Sequence, residues 1–257
     1  KQFPTNKPNQ ETKTIEMTLS KKFPLISSSN KLNQHILNED WYAVKSRCEQ
    51  RPREAAMWTK RVGFFDGEHE SRVLPIHQAC ALRAPKDVIH ALLIAYPKGV
   101  QALETEYKRL PLHIACQNGC KADVIELLLS YDPLCAQMED ILGRVPIHYI
   151  CCNGADPDVI DHLLSPDPAT ATIADRAGWL PLHVACQMGV STESMQKLLG
   201  ANPSAVTAKT AKGSTPLSLI SRIDCKNKGE LVSLLENLPM EQSHNNRHVS
   251  FVVSRAA

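Results

Sequence analysis

The sequence predicts an all-α solenoid of helix-turn-helix-finger repeats, and three interlocked observations predict it. A four-residue phrase with proline second recurs every 35 or 36 residues: Leu74-Pro75-Ile76-His77, Leu110-Pro111-Leu112-His113, Val145-Pro146-Ile147-His148, Leu180-Pro181-Leu182-His183 and Thr215-Pro216-Leu217-Ser218. Cys80, Cys116, Cys151 and Cys186 stand five residues after that proline, and Gly119, Gly154 and Gly189 stand eight after it. A further proline follows 22 residues after the first, at Pro97, Pro133, Pro168 and Pro203. A fixed period of this length is the signature of stacked units, none of which can bury its own apolar face.

The elements follow in order. Residues 1–30 are rich in Lys, Thr, Ser, Asn and Pro without periodicity, which predicts a disordered N-terminal segment. The repeat domain is expected over 31–240 and opens with a degenerate unit at 31–73. There Asp40 to Thr59 reads as the second helix, with Pro52 in the stop position, and Lys60 to Arg72 reads as an elongated finger containing Gly63 and Gly67. Regular units start near 74, 110, 145, 180 and 215. In each, proline takes the first helical position, where its fixed φ suits the helix and its missing amide costs nothing. In the unit starting near 110, Leu112, Ala115 and Cys116 fall at helical spacing, and Gly119 ends the helix because glycine takes the left-handed C′ conformation freely. The second helix lines up Val124, Ile125, Leu128 and Leu129, with Asp123 in its first turn, where a carboxylate suits the helix dipole. Pro133 stops it, and about a dozen residues including Gly143 lead by an extended or turn-like finger to the next proline. The last unit replaces the histidine with Ser218 and sets Asp224, Lys226, Asn227 and Lys228 between its helices, as a C-terminal cap would. Residues 241–257 are expected to be a flexible tail.

This arrangement resembles the ankyrin repeat, in a less common 35-residue form where Tyr96-Pro97, Asp132-Pro133 and Asn202-Pro203 replace the usual glycine-alanine-aspartate after the second helix. The resemblance covers roughly residues 40 to 240 and rests on the Pro-Leu/Ile-His triplet, the small residue, the glycine and the paired leucines. One position departs. The threonine that normally caps the first helix is Leu74, Leu110, Val145 or Leu180, and only Thr215 keeps it. An aliphatic N-cap is about 1 kcal/mol worse per helix, so another group must satisfy those amides. The resemblance also implies that the histidine ties adjacent units together by backbone hydrogen bonds.

The His-x-x-Cys pairs, from His77 and Cys80 to His183 and Cys186, contain zinc-ligand types. Zinc needs four ligands at about 2.0 to 2.3 Å, whereas successive helices of a stack lie about 8 to 10 Å apart. Each pair would supply only two ligands, so the cysteines read as small apolar fillers. Cys151-Cys152 and Cys116 with Cys120 meet no four-ligand spacing either. There is no nucleophile elbow, phosphate-cradling glycine loop, H-E-x-x-H helix or carboxylate pair, and the acids of Gly154-Ala155-Asp156-Pro157-Asp158 fall at a helix start. No catalytic residue, metal or cofactor is therefore expected.

Composition excludes other classes. With 43% hydrophobic and 22% charged residues in 257, the chain is neither a disordered tail nor a fibre. Lys and Arg (29) nearly balance Asp and Glu (27), so any global pull on a polyanion is weak. The longest apolar run, Ala91 to Tyr96, falls far short of the roughly 20 residues that span a bilayer, so no membrane insertion is expected. Nine scattered cysteines in a chain too long to need disulfide staples suit a reducing cytoplasm or nucleus.

What remains for function is surface. The resemblance implies a monomeric, non-catalytic scaffold whose finger tips and exposed first-helix positions line one concave groove that recognises another protein. On the fingers those positions are Tyr107, Arg109, Arg144, Arg176, Trp179, Lys209 and Lys212; on the first helices they are Gln117, Asn118, Asn153, Gln187 and Met188. Arg, Tyr, Trp and Met are enriched in interface cores, and Trp179 stands out among its neighbours. The rival reading is a nucleic-acid stripe of Lys108, Arg109, Arg144, Arg176, Lys209 and Lys212. Glu104, Glu106, Glu139, Asp140 and Asp175 share those fingers, so a phosphate would meet mixed charge, and a protein partner with an acidic or mixed surface matches these basic finger residues better. A third reading falls on the tail, where Arg247-His248-Val249-Ser250-Phe251 resembles the short, strand-adding docking consensus of protein phosphatase 1 partners and implies a regulatory subunit.

Overall fold

The computed structural model describes residues 30–65 and 70–237. Six helix pairs follow one another: α1 (Lys31–Leu37) and α2 (Trp41–Gln50), α3 (Pro75–Ala81) and α4 (Lys86–Ala95), α5 (Pro111–Asn118) and α6 (Ala122–Tyr131), α7 (Pro146–Cys152) and α8 (Pro157–Leu164), α9 (Pro181–Met188) and α10 (Thr192–Ala201), then α11 (Pro216–Ile220) and α12 (Lys228–Glu236). The odd-numbered helices pack in sequence on one another as one layer, and the even-numbered helices do the same as a second. The repeated cysteines lie inside this stack, as small apolar fillers do: Cys80, Cys116, Cys151 and Cys186 are inaccessible, together with Ala79, Ala115 and Ala185. The even helices supply Val88, Ile89 and Leu93, Ile125 and Leu128, and Val159, Ile160 and Leu163 to the same core.

The second proline of each unit does more than stop a helix. Pro52–Ala56, Pro97–Gln101, Pro133–Ala136, Pro168–Thr172 and Pro203–Thr207 are each a 3-10 helix opened by that proline. The extended or turn-like finger therefore begins a turn later than the sequence reading placed it. Proline clashes with a helical predecessor and pushes it extended, and Tyr96, Asp132, Asp167 and Asn202 accordingly sit at φ −148°, −156°, −160° and −143°. Asp132 and Asp167 use that geometry to accept from the amides of Leu134 and Ala169.

At the N-terminal end, α2 stops at Gln50 and does not run to Thr59. Glu54 of the following 3-10 helix accepts from Arg47 on α2 and from the amide of Leu32 on α1, and so locks the two helices together. The elongated finger is an antiparallel hairpin of β1 (Thr59–Val62) and β2 (Glu70–Val73), with Thr59 opposite Val73 and Val62 opposite Glu70. At the other end Thr215 and Ser218 form a true capping box: Thr215 Oγ1 accepts from the Ser218 amide and Ser218 Oγ from the Thr215 amide. Polar residues at the start of α12 satisfy open carbonyls, Lys228 Nζ donating to Ser221 and Ile223 and the N-cap Asn227 Nδ2 to Val190. The N-terminal segment, Gly67, the C-terminal tail and its Arg247 to Phe251 motif lie outside the described residues.

Candidate functional site

Each finger is a tight loop folded around its own acceptor. Asp140 Oδ1 accepts from the amides of Leu142 (2.8 Å) and Arg144 (3.0 Å), while the Gly143 amide closes the turn on the Asp140 carbonyl. Asp175 does the same for Ala177 and Trp179, both at 2.9 Å, and Thr210 Oγ1 takes the Ser214 amide. Glu104, on a finger one residue longer, accepts from Glu106, Tyr107 and Arg109. Neighbouring tips are joined by backbone hydrogen bonds, Ile141 to Tyr107 (2.9 Å), Arg176 to Leu142 (3.0 Å) and Ala211 to Ala177 (3.0 Å), which hold the tips in one row.

The histidines bind finger to helix. Nδ1 of His77, His113, His148 and His183 accepts from the N-cap amides of Leu74, Leu110, Val145 and Leu180 at 3.0 to 3.3 Å. Nε2 then donates to the carbonyls of Ala102, Arg144, Trp179 and Ala208 on the following finger. The ring thereby satisfies the N-cap residue's own amide, not the first-turn amide that a threonine there would accept from. The amides of His77, His148 and His183 in turn bond the N-cap carbonyls. With both ring nitrogens occupied, none of these histidines can serve a metal, and no metal-holding group occurs among the described residues. Burial pushes His77 and His113 down to about 4, so they are neutral.

Arginines brace one finger against the next. Arg109 is only 6% exposed. Its Nε lies 3.3 Å from Asp140 Oδ2, Nη1 donates to Gln117 (2.9 Å), and the guanidinium faces the rings of Tyr107, Tyr149 and Phe65 at 4.4 to 4.9 Å. Arg144 repeats the pairing on Asp175 Oδ2 at 3.3 Å. The Tyr149 hydroxyl completes Asp140. Ser71 Oγ donating to Glu104 Oε2 is the matching link from the hairpin.

A family model of ankyrin repeats, three copies long, matches residues 76–173 and 112–210. The chain belongs to the ankyrin repeat family. A search of the curated proteins returns no match. Ankyrin repeats are in general protein-protein interaction domains and are typically non-catalytic. No helix among the described residues is long and apolar enough to cross a membrane.

The ankyrin array sorts the candidate contact residues into two groups. Arg109 is buried, Arg144 is tied to Asp175, and Trp179 is part-buried against the core, edge-on to His183 at 6.2 Å. All three take part in holding the stack, and Arg144 and Trp179 remain partly exposed. Tyr107 is half-buried beside Arg109, and Asn118 folds back to the Ile114 carbonyl. Gln117, Asn153, Arg176 and Met188 are exposed, and Gln187 is half-exposed. The acids that seemed to dilute a basic stripe, Glu104, Asp140 and Asp175, are buried as loop acceptors. Tyr149 and Phe65 belong to the brace and carried no sequence signal, because Phe65 lies in an insertion and Tyr149 takes a register position that holds Gln78, Ile114 and Val184 in other units.

Proposed function

We propose that the array binds another protein along the row of finger tips and the adjoining ends of the first helices, and carries out no chemistry itself. The observation that supports this is the division of labour just described. Asp140, Asp175, Arg109 and the four histidines are turned inward to hold the stack, while Lys108, Asn153, Arg176 and Met188 stand outside it. Positions that do not hold the scaffold can be fitted to a partner, and Met188, 50% exposed, supplies an adaptable apolar contact. The nucleic-acid alternative loses Arg109 and Arg144 to internal pairs and keeps Lys108, Arg176, Lys209 and Lys212. Free cysteines throughout the described chain fit a cytoplasmic or nuclear setting.

The test uses a partner captured by the wild-type chain and placed by cross-linking from position 176 or 188. Arg176→Glu with Met188→Ala should abolish that capture and leave the urea midpoint unchanged. Undiminished capture by the folded double variant, or binding to nucleic acid that falls steeply with salt, would overturn the reading.

A further inference from the structure

A small, partly open cleft lies at the N-terminal end of the array, between the hairpin, the end of α1 and the face of α3. Its walls are Leu37, Arg61, Val62, Phe64, Gln78, Ala81 and Leu82. In repeat register Ala81 and Leu82 occupy the places of Gln117 and Asn118, so the interaction face turns apolar here. Val62 is left 43% exposed. Arg61 has no ion pair or side-chain hydrogen bond among the described residues, whereas Arg47, Arg109 and Arg144 each have a carboxylate within 3.3 Å. Burial without a counter-charge also pulls the Arg61 pKa down. Gln78, 2% exposed, gives its amide nitrogen to Thr59 Oγ1 at 3.0 Å and leaves its amide oxygen unpartnered. A part-buried cation without a counter-charge is costly, as is a buried acceptor without a donor.

We propose that this cleft is a subsite for an extended acidic segment of the partner. An aliphatic side chain enters between Leu37, Phe64 and Leu82, and the carboxylate of an adjacent Asp or Glu pairs with Arg61. The committed source of charge is a side chain, and a free C-terminal carboxylate is the alternative that the test below separates from it. Exposed Lys108, Arg176, Lys209 and Lys212 farther along the row favour the same acidic class of partner. This rests on the protein-binding reading above and adds to it where and what the partner is.

The probe is the capped peptide acetyl-Ala-Leu-Glu-Ala-amide, titrated into the full chain with methyl and amide NMR detection. Shifts should concentrate on Leu37, Val62, Ala81 and Leu82. Glutamine in place of the peptide glutamate should weaken binding about fivefold, as should Arg61→Gln, the two changes together adding little more. Leu82→Asn, which installs the residue that the next unit carries at this place, should remove the aliphatic contribution while keeping the fold. Equal affinity of Arg61→Gln for the glutamate peptide would overturn the proposal. So would shifts elsewhere on the face, or tighter binding of a leucine peptide with a free C-terminal carboxylate. If the peptide fails while the Arg176 and Met188 variant still loses its partner, the subsite alone falls.

Discussion

Arg109 Nε stands 3.3 Å from Asp140 Oδ2 on the next finger, and both side chains are buried. The pair links consecutive units where the tips would otherwise be joined only by single backbone hydrogen bonds. Burial works to raise the Asp140 carboxyl, but the Tyr149 hydroxyl, the amides of Arg144 and Leu142 and the Arg109 charge outweigh it and hold its pKa below the ordinary value. Removing one partner of such a pair strands the other, at a cost of about 3 kcal/mol. Asp140→Ala should lower the stability read from urea unfolding by about that amount. Exposed Glu139→Ala, one residue away, should change it by no more than about 0.5 kcal/mol.

The histidines make stability depend on pH in a defined window. His77 and His113 have an ordinary value of 6.5 and fall to about 4 in the fold, because burial disfavours the charged ring. Between those values the unfolded chain binds protons that the folded chain refuses, so stability is full above 6.5 and declines as pH falls toward 4. The slope is at most about 1.4 kcal/mol per pH unit for each histidine. Geometry gives the same sign: a protonated Nδ1 would point a hydrogen at the N-cap amide that now donates to it. Urea midpoints should therefore drop steadily across this window. His113→Gln should be less stable at neutral pH yet show a shallower decline.

How much of this was readable beforehand depends on whether a residue answers to the backbone or to its neighbours. The proline, histidine, cysteine and glycine series were legible because each meets one backbone or packing demand repeated in every unit. The direction of Arg109 was not, since an arginine can brace a stack or face solvent with equal chemical ease. A signal for the brace existed all the same: Arg109 with Asp140 and Arg144 with Asp175 are both 31 residues apart, just short of one period. Phe65 and Tyr149 have no such series, so the aromatic shell around Arg109 emerges only from the fold. The hairpin likewise sits in an insertion that the period does not cover.

Two glycines separate backbone strain from contact. Gly178 (φ +74°) and Gly213 (φ +78°) hold the same place on consecutive fingers. A Cβ on Gly213 meets nothing within 4 Å, whereas one on Gly178 comes within 2.9 Å of Ala211 N, the amide that donates to Ala177. Gly213→Ala should cost about 1 kcal/mol for its φ alone. Gly178→Ala should cost at least about 2 kcal/mol, because the next finger must also move. Similar losses in thermal unfolding would mean that the fingers are free to separate.

The thiols should divide by burial. Burial pushes Cys80, Cys116 and Cys151 well above the ordinary thiol value, and Cys120 and Cys186 to about 12. Cys152 is pushed to about 11 but is partly exposed, as is Cys225. A thiol-reactive reagent should label Cys225 and then Cys152 in the native protein and reach the buried thiols only on unfolding, with mass spectrometry locating the adducts. Cys151→Ala should cost only about 1 kcal/mol, and EDTA should leave the melting temperature unchanged.

The aliphatic N-caps yield a prediction whose sign changes with position. A threonine at N-cap is worth about 1 kcal/mol over an aliphatic residue, and Thr215 shows the geometry, its Oγ1 accepting from the Ser218 amide at 3.2 Å. Leu110 is 1% exposed, however, and full burial of a leucine contributes about 1.5 to 3 kcal/mol. There packing outweighs capping. Leu180 is only partly buried, so less packing is lost and the capping gain weighs more. Leu110→Thr should therefore destabilise by about 1 to 2 kcal/mol, whereas Leu180→Thr should fall within about 0.5 kcal/mol of wild type or above it. Urea midpoints of the two single variants decide the matter. Equal losses at both sites would mean that burial does not set the choice of residue at this position.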